Sequence, residues 1–159
     1  MSKTDCGNDV RERIARAYQL LIERDAHLLA VNANERSLTH RLAMYLEKEF
    51  PEYQVDCEYN RNGLARKKIE KLKRKIDSDN TEGVNVYPDI IIHRRGTKNN
   101  FIVIEAKKTS NTDQADMAKL KAYKADLSYR HAFFVRFPVG EELKNLKQKS
   151  IVEYLEEVA

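Results

Sequence analysis

There is no tryptophan in this chain of 159 residues, and cysteine, proline and glycine are scarce at two, three and five. The two cysteines, Cys6 and Cys57, stand far apart and fit neither a zinc-ligand spacing nor a disulfide framework. The longest apolar runs, such as Phe101 to Ile104, fall far short of the roughly 20 residues that span a bilayer. Residues 1–13 are polar and lack the apolar centre of a signal peptide. The four histidines form no His-Glu-x-x-His or His-Asn-His grouping, which argues against a zinc hydrolase. The expectation is one domain over residues 1–159, in a reducing cytoplasm and with no membrane partner.

Charge is what the chain has in abundance. Charged residues make up 34% and apolar residues 42%, with a mean hydropathy of −0.69, so a core lies under a heavily charged surface. The net charge is +4. Residues 61–76 alone carry Arg61, Arg66, Lys67, Lys68, Lys71, Lys73, Arg74 and Lys75 against the single acid Glu70. All of the net positive charge therefore sits in one segment, and the rest of the chain is slightly acidic.

Hydrophobic periodicity predicts an amphipathic N-terminal helix over residues 10–29, carried by Val10, Ile14, Tyr18, Leu21, Ile22, Leu28 and Leu29. A second helix is expected from Asn32 to about Phe50, stopped by Pro51. Residues 53–59 alternate as a half-buried strand. A basic helical insertion at about 61–83 follows, bounded by turn residues and carrying a narrow stripe of Ile69, Leu72 and Ile76. Strands are expected at 87–93 and 100–107 around a turn at 94–99, then a helix over 112–127 and a strand over 131–137. One or two short helices, from Glu141 and from Ser150, complete the chain.

Two of these strands carry chemistry. On 100–107 alternate side chains share a face, which puts Phe101, Val103, Glu105 and Lys107 together and Ile102, Ile104 and Ala106 opposite. Pro88-Asp89 precedes the Ile90-Ile91-Ile92 run, so an antiparallel hairpin brings Asp89 near Glu105 and Lys107. Two adjacent carboxylates repel unless a cation separates them, and oxygen ligands suit a hard ion such as Mg²⁺. Such an ion polarises a phosphoryl oxygen, and a nearby lysine counters the charge that grows in phosphodiester hydrolysis. The rival reading is a surface hairpin ending in ordinary charges.

Pro88-Asp89 followed by Glu105-Ala106-Lys107 resembles the signature of the PD-(D/E)xK, or restriction-endonuclease-like, nuclease superfamily. The order helix-strand-strand-strand-helix-strand over about 32–137 is similar to its core. The resemblance implies an α/β fold with an αβββαβ core, a central mixed sheet flanked by helices, here with an extra N-terminal helix. It implies Asp89, Glu105 and Lys107 as catalytic residues, with Asp89 and Glu105 holding Mg²⁺, for which Mn²⁺ can substitute. It also offers Glu35, on the first core helix, as a third metal ligand. Asn32-Ala-Asn-Glu35 equally fits a capping box, with Asn32 as N-cap.

Lys119 sits where some branches of the superfamily place a polar residue near the site, and is a candidate nucleic-acid contact. Its neighbours Asp116 and Tyr123 read as an exposed face, as do His40 and Arg41 on the earlier helix. His93 reads as a satisfied strand-end histidine. The basic residues Arg66, Lys67, Lys68, Lys71, Lys73, Arg74 and Lys75 are candidate phosphate contacts. No aromatic lies between Asn60 and Gly83, so that segment is no base-stacking platform. A solvated arm and a dimerising stripe are the other readings of it.

The expected function is a Mg²⁺-dependent nuclease acting on nucleic acid, DNA before RNA. A homodimer would supply two sites for a duplex, and a partner protein could supply targeting. The alternatives are a nucleic-acid-binding module without catalysis, or a protein-interaction module using the N-terminal helix.

Overall fold

The computed structural model describes residues 7–59, 87–110, 114–146 and 151–159. The basic insertion, with Arg66, Lys67, Lys68, Lys71, Lys73, Arg74 and Lys75, lies outside the described residues.

Helix α1 spans Gly7–Arg24 and buries Val10, Ile14, Ala17, Tyr18 and Leu21 completely, one side of the helix as the spacing requires. The expected single helix to Leu29 is broken at Asp25, and α2 resumes over Ala26–Ala30. The Asp25 carboxylate at the break accepts hydrogen bonds from Arg41 Nε at 3.1 Å and from the Tyr45 hydroxyl at 2.5 Å. Arg41 therefore ties two helices together instead of lining a solvated face; His40 is exposed as expected.

Helix α3 spans Glu35–Glu49, with Leu38, Leu42, Tyr45 and Leu46 buried. It starts later than expected because Asn34, not Asn32, is the N-cap. Asn34 has the extended backbone that a cap needs (φ −63°, ψ 151°), and its side chain accepts the Ser37 N–H at 2.8 Å. Asn32 instead adopts φ +55° in the preceding turn, a conformation asparagine tolerates better than most residues.

Five strands form one mixed sheet: β1 (Gln54–Cys57), β2 (Ile90–His93), β3 (Asn100–Lys108), β4 (His131–Phe137) and β5 (Leu155–Glu157). They lie in that spatial order, antiparallel except for the parallel pair β3–β4. A parallel neighbour requires a crossover, and α4 (Gln114–Asp126) supplies it. A short α5 (Glu141–Asn145) follows. The second expected tail helix is a 3₁₀ turn at Ile151–Tyr154, leading into a further short strand.

The sheet separates two apolar layers. Ile90, Ile92, Ile102, Ile104, Phe133, Val135 and Phe137 pack with α1 and α3. Ile91, Val103, Ala132 and Phe134 pack with Leu120 and Tyr123 of α4 and with Leu127 just beyond it. Strand alternation accounts for every one of these assignments. Phe101 departs from the expected face. The register passes from Ile92↔Ile102 to His93↔Asn100, so Phe101 is the extra residue of a bulge. It turns into the α1/α3 layer, stacked on Tyr53 with ring centroids 4.6 Å apart. Among the described residues, no helix is long and apolar enough to cross a membrane.

Asn34→Ala is expected to cost about 1 kcal/mol in urea unfolding, as for a lost N-cap, with Asn32→Gly, which suits the positive φ at that turn, well below that. Phe101→Ala, which empties a fully buried ring site, is expected to cost roughly 3–5 kcal/mol.

Candidate functional site

The site forms where β2 begins and β3 ends. With Ile90 opposite Ile104 in an antiparallel register, Asp89 is carried to Glu105. The Asp89 N–H donates to Glu105 Oε1 at 3.3 Å, and the Ala106 N–H donates to Asp89 Oδ2 at 2.9 Å. β3 is the middle strand of the sheet, so this pairing is central and not a surface hairpin. Glu105 is 1% exposed.

Helix α4 closes the site from above. Asp116, Lys119, Leu120, Tyr123 and Leu127 recur at helical spacing and are all buried. This stripe is apolar toward the helix C-terminus and charged in its first turns. The expected exposed face at Asp116 and Tyr123 is thus an inward face. The signal was present in the sequence: both residues share a side of the helix with Leu120 and Leu127. Asp116 forms ion pairs with both lysines, Oδ2 to Lys107 Nζ at 2.9 Å and Oδ1 to Lys119 Nζ at 3.0 Å. Lys119 Nζ lies 3.4 Å from Glu105 Oε2. At 7% exposure Lys119 lies inside the site, with its ammonium against carboxylates.

Glu35 occupies the first position of α3, so it is not reaching back to an Asn32 cap. Its Oε2 accepts the Lys108 N–H at 3.3 Å, while Lys108 Nζ reaches Asn32 Oδ1 at 3.1 Å. Glu35 thereby joins the α3 N-terminus to the end of β3, within electrostatic reach of Lys107. His93 lies at the other end of β2. It is fully buried, with Nε2 2.7 Å from Asp56 Oδ2 and its ring edge-on to Tyr59.

Three carboxylates thus meet two ammonium groups, with Glu105, Asp116 and Lys119 buried and Asp89 and Lys107 partly exposed. Like charges about 4 Å apart repel by about 4 kcal/mol even at an effective dielectric near 20, so the acids compete for whatever positive charge is present. Burial, then the charge of Asp89, push the Glu105 carboxyl well above its ordinary range against the opposing pull of Lys119. Burial also raises Asp89, more than the Ala106 amide and the Glu105 hydrogen bond lower it. Burial alone would depress Lys107 and Lys119. Asp116 reverses this for Lys107, and Glu105 with Asp116 reverse it for Lys119, so both hold their protons more tightly than usual. Burial and the surrounding carboxylates push the Tyr123 phenol far up, which keeps it neutral.

Among the described residues, no group of three His, Cys, Asp or Glu side chains stands ready to hold a metal. Mg²⁺ does not require one, since it is commonly held by one or two carboxylates while retaining waters. Asp89 and Glu105 are the residues here whose oxygens could hold such an ion.

The raised Glu105 carboxyl makes a pH prediction. It carries no stability penalty below the ordinary value of 4.5, where it is protonated folded and unfolded alike. Above 4.5 the unfolded chain ionises first, and the fold loses stability until pH passes the raised folded value. Glu105→Gln should therefore melt higher than wild type at pH 8, with the gap closing as the pH falls below 4.5.

Compared with family models, curated proteins and solved structures, the chain shows no significant match to any.

Proposed function

We propose that the chain is a Mg²⁺-dependent nuclease of the PD-(D/E)xK, restriction-endonuclease-like type, hydrolysing phosphodiester bonds, DNA before RNA. The observation that carries this reading is the β2–β3 register, which seats Asp89 on Glu105 at a buried sheet end with Lys107 next along the same face. The element order α3-β1-β2-β3-α4-β4 agrees with the αβββαβ core of that superfamily.

In this reading Asp89 and Glu105 hold the Mg²⁺. The ion supplies Lewis-acid polarisation of the phosphoryl oxygen and a lowered pKa for water. Lys107 is partly exposed and anchored by Asp116, so its ammonium can face substrate without drifting. It stays protonated in this setting and acts as the fixed positive charge that meets the negative charge growing on the phosphoryl oxygens. Glu35 fixes the strand end beside it, and its Oε2 is already engaged by the Lys108 amide. The basic residues 66–75 serve as a sequence-independent grip on phosphates.

The test is incubation with plasmid, single-stranded DNA and RNA in Mg²⁺ or Mn²⁺. Glu105→Ala and Lys107→Ala are expected to slow cleavage by at least about 100-fold while the melting transition is retained. Cleavage of no substrate, or equal cleavage by both variants, refutes the assignment. Nucleic-acid binding with no response to divalent ions would instead identify a binding module of the same fold.

A further inference from the structure

Asp116 and Lys119 have no part in the motif that suggested the function, yet they are among the most buried charges of the described chain. Lys119 stands 3.4 Å from Glu105 Oε2 and 3.0 Å from Asp116 Oδ1, and the other oxygen of Asp116 holds Lys107 at 2.9 Å. Helical spacing explains how this arises. Residues three apart share a face, and this face lies over the acid pair, beside the apolar packing of Leu120 and Tyr123. A lysine buried here is costly unless carboxylates surround it. The acids are costly unless a cation does the same for them.

We propose that Lys119 is a built-in counter-charge for the Asp89–Glu105 pair, occupying the electrostatic place of a divalent cation, and that Asp116 sets how strongly it competes. The inference rests on the metal-dependent reading above and adds a control on that same site. Lys119 partly offsets the charge of Glu105 when no metal is bound, so the acid pair is not left without a counter-charge. A hard divalent ion entering beside Asp89 and Glu105 is opposed by this ammonium. Asp116 offers Lys119 a second carboxylate to lean on and adds negative charge nearby, both of which ease the entry of the ion. Asp116 is a positioning residue in this scheme, since it acts through the two lysines.

The scheme requires opposite effects from neighbouring substitutions. A unit charge at such range moves proton affinity by 1–3 pKa units, so Mn²⁺ affinity should move by about tenfold or more. Titration calorimetry with Mn²⁺ alone on the full chain is the readout, with thermal melting of each variant alongside. Lys119→Met is expected to tighten binding and Asp116→Asn to weaken it, with the double variant near wild type. Lys119→Arg keeps the charge and should bind close to wild type, which separates charge from packing. Weakening by both single substitutions, or no change in either, overturns the proposal while leaving the nuclease reading intact if the wild type binds Mn²⁺ and cuts. A wild type that binds no Mn²⁺ overturns both.

Discussion

The chemistry at the end of β3 depends on one constraint: carboxylates held close together where water is scarce must find positive charge. The β2–β3 hydrogen-bond register imposes the closeness, because Asp89 can move from Glu105 only if the isoleucine pairing behind it slips. A slip of one residue would exchange the isoleucines of β2 between the two layers and carry Asp89 or His93 into an apolar position at the end of the run, so the core of the protein enforces the geometry of its site. Packing energy from the apolar layers holds in place a charge arrangement that would disperse in water.

The same layers explain why the site can be charged at all. The α1/α3 layer holds the larger share of the core, with aromatic contacts among Phe50, Tyr53 and Phe101. The α4 layer is smaller and ends in the charged turn over the acids. Stability is thus supplied mainly on one side of the sheet while the other accommodates Asp116 and Lys119. Glu35 links the two sides by reaching from α3 to the strand end, so a shift of α3 would be felt at Lys107.

Much of this was legible in one dimension. Strand alternation placed Ile90, Ile92, Ile102 and Ile104 on one face, and Glu-x-Lys on a strand that a hairpin joins to the one after Pro-Asp, though β2 begins only at Ile90 and leaves Pro88-Asp89 just before it. Other features depended on choices between near-equivalent residues. Asn32 and Asn34 both suit an N-cap, and backbone geometry selected the second. The bulge at Phe101 follows from competition between the β2–β3 ladder and an aromatic site beside Tyr53, and no local pattern encodes the outcome. The short β5 lacks alternation long enough to be read, and it exists because the edge of β4 is there to pair with it.

Local periodicity, set by the fixed geometry of helices and strands, determined which residues share a face and therefore that Asp89, Glu105 and Lys107 could converge. It also put Asp116 and Lys119 on one side of α4 with Leu120 and Tyr123. Tertiary packing decided what that side covers, and with it whether those charges meet water or each other. The strength of an ion pair depends on the dielectric around it, and that is a property of the assembled layers rather than of any single element. A run of polar letters on a helix therefore became the counter-charge of a buried acid pair only once α4 lay down on the sheet.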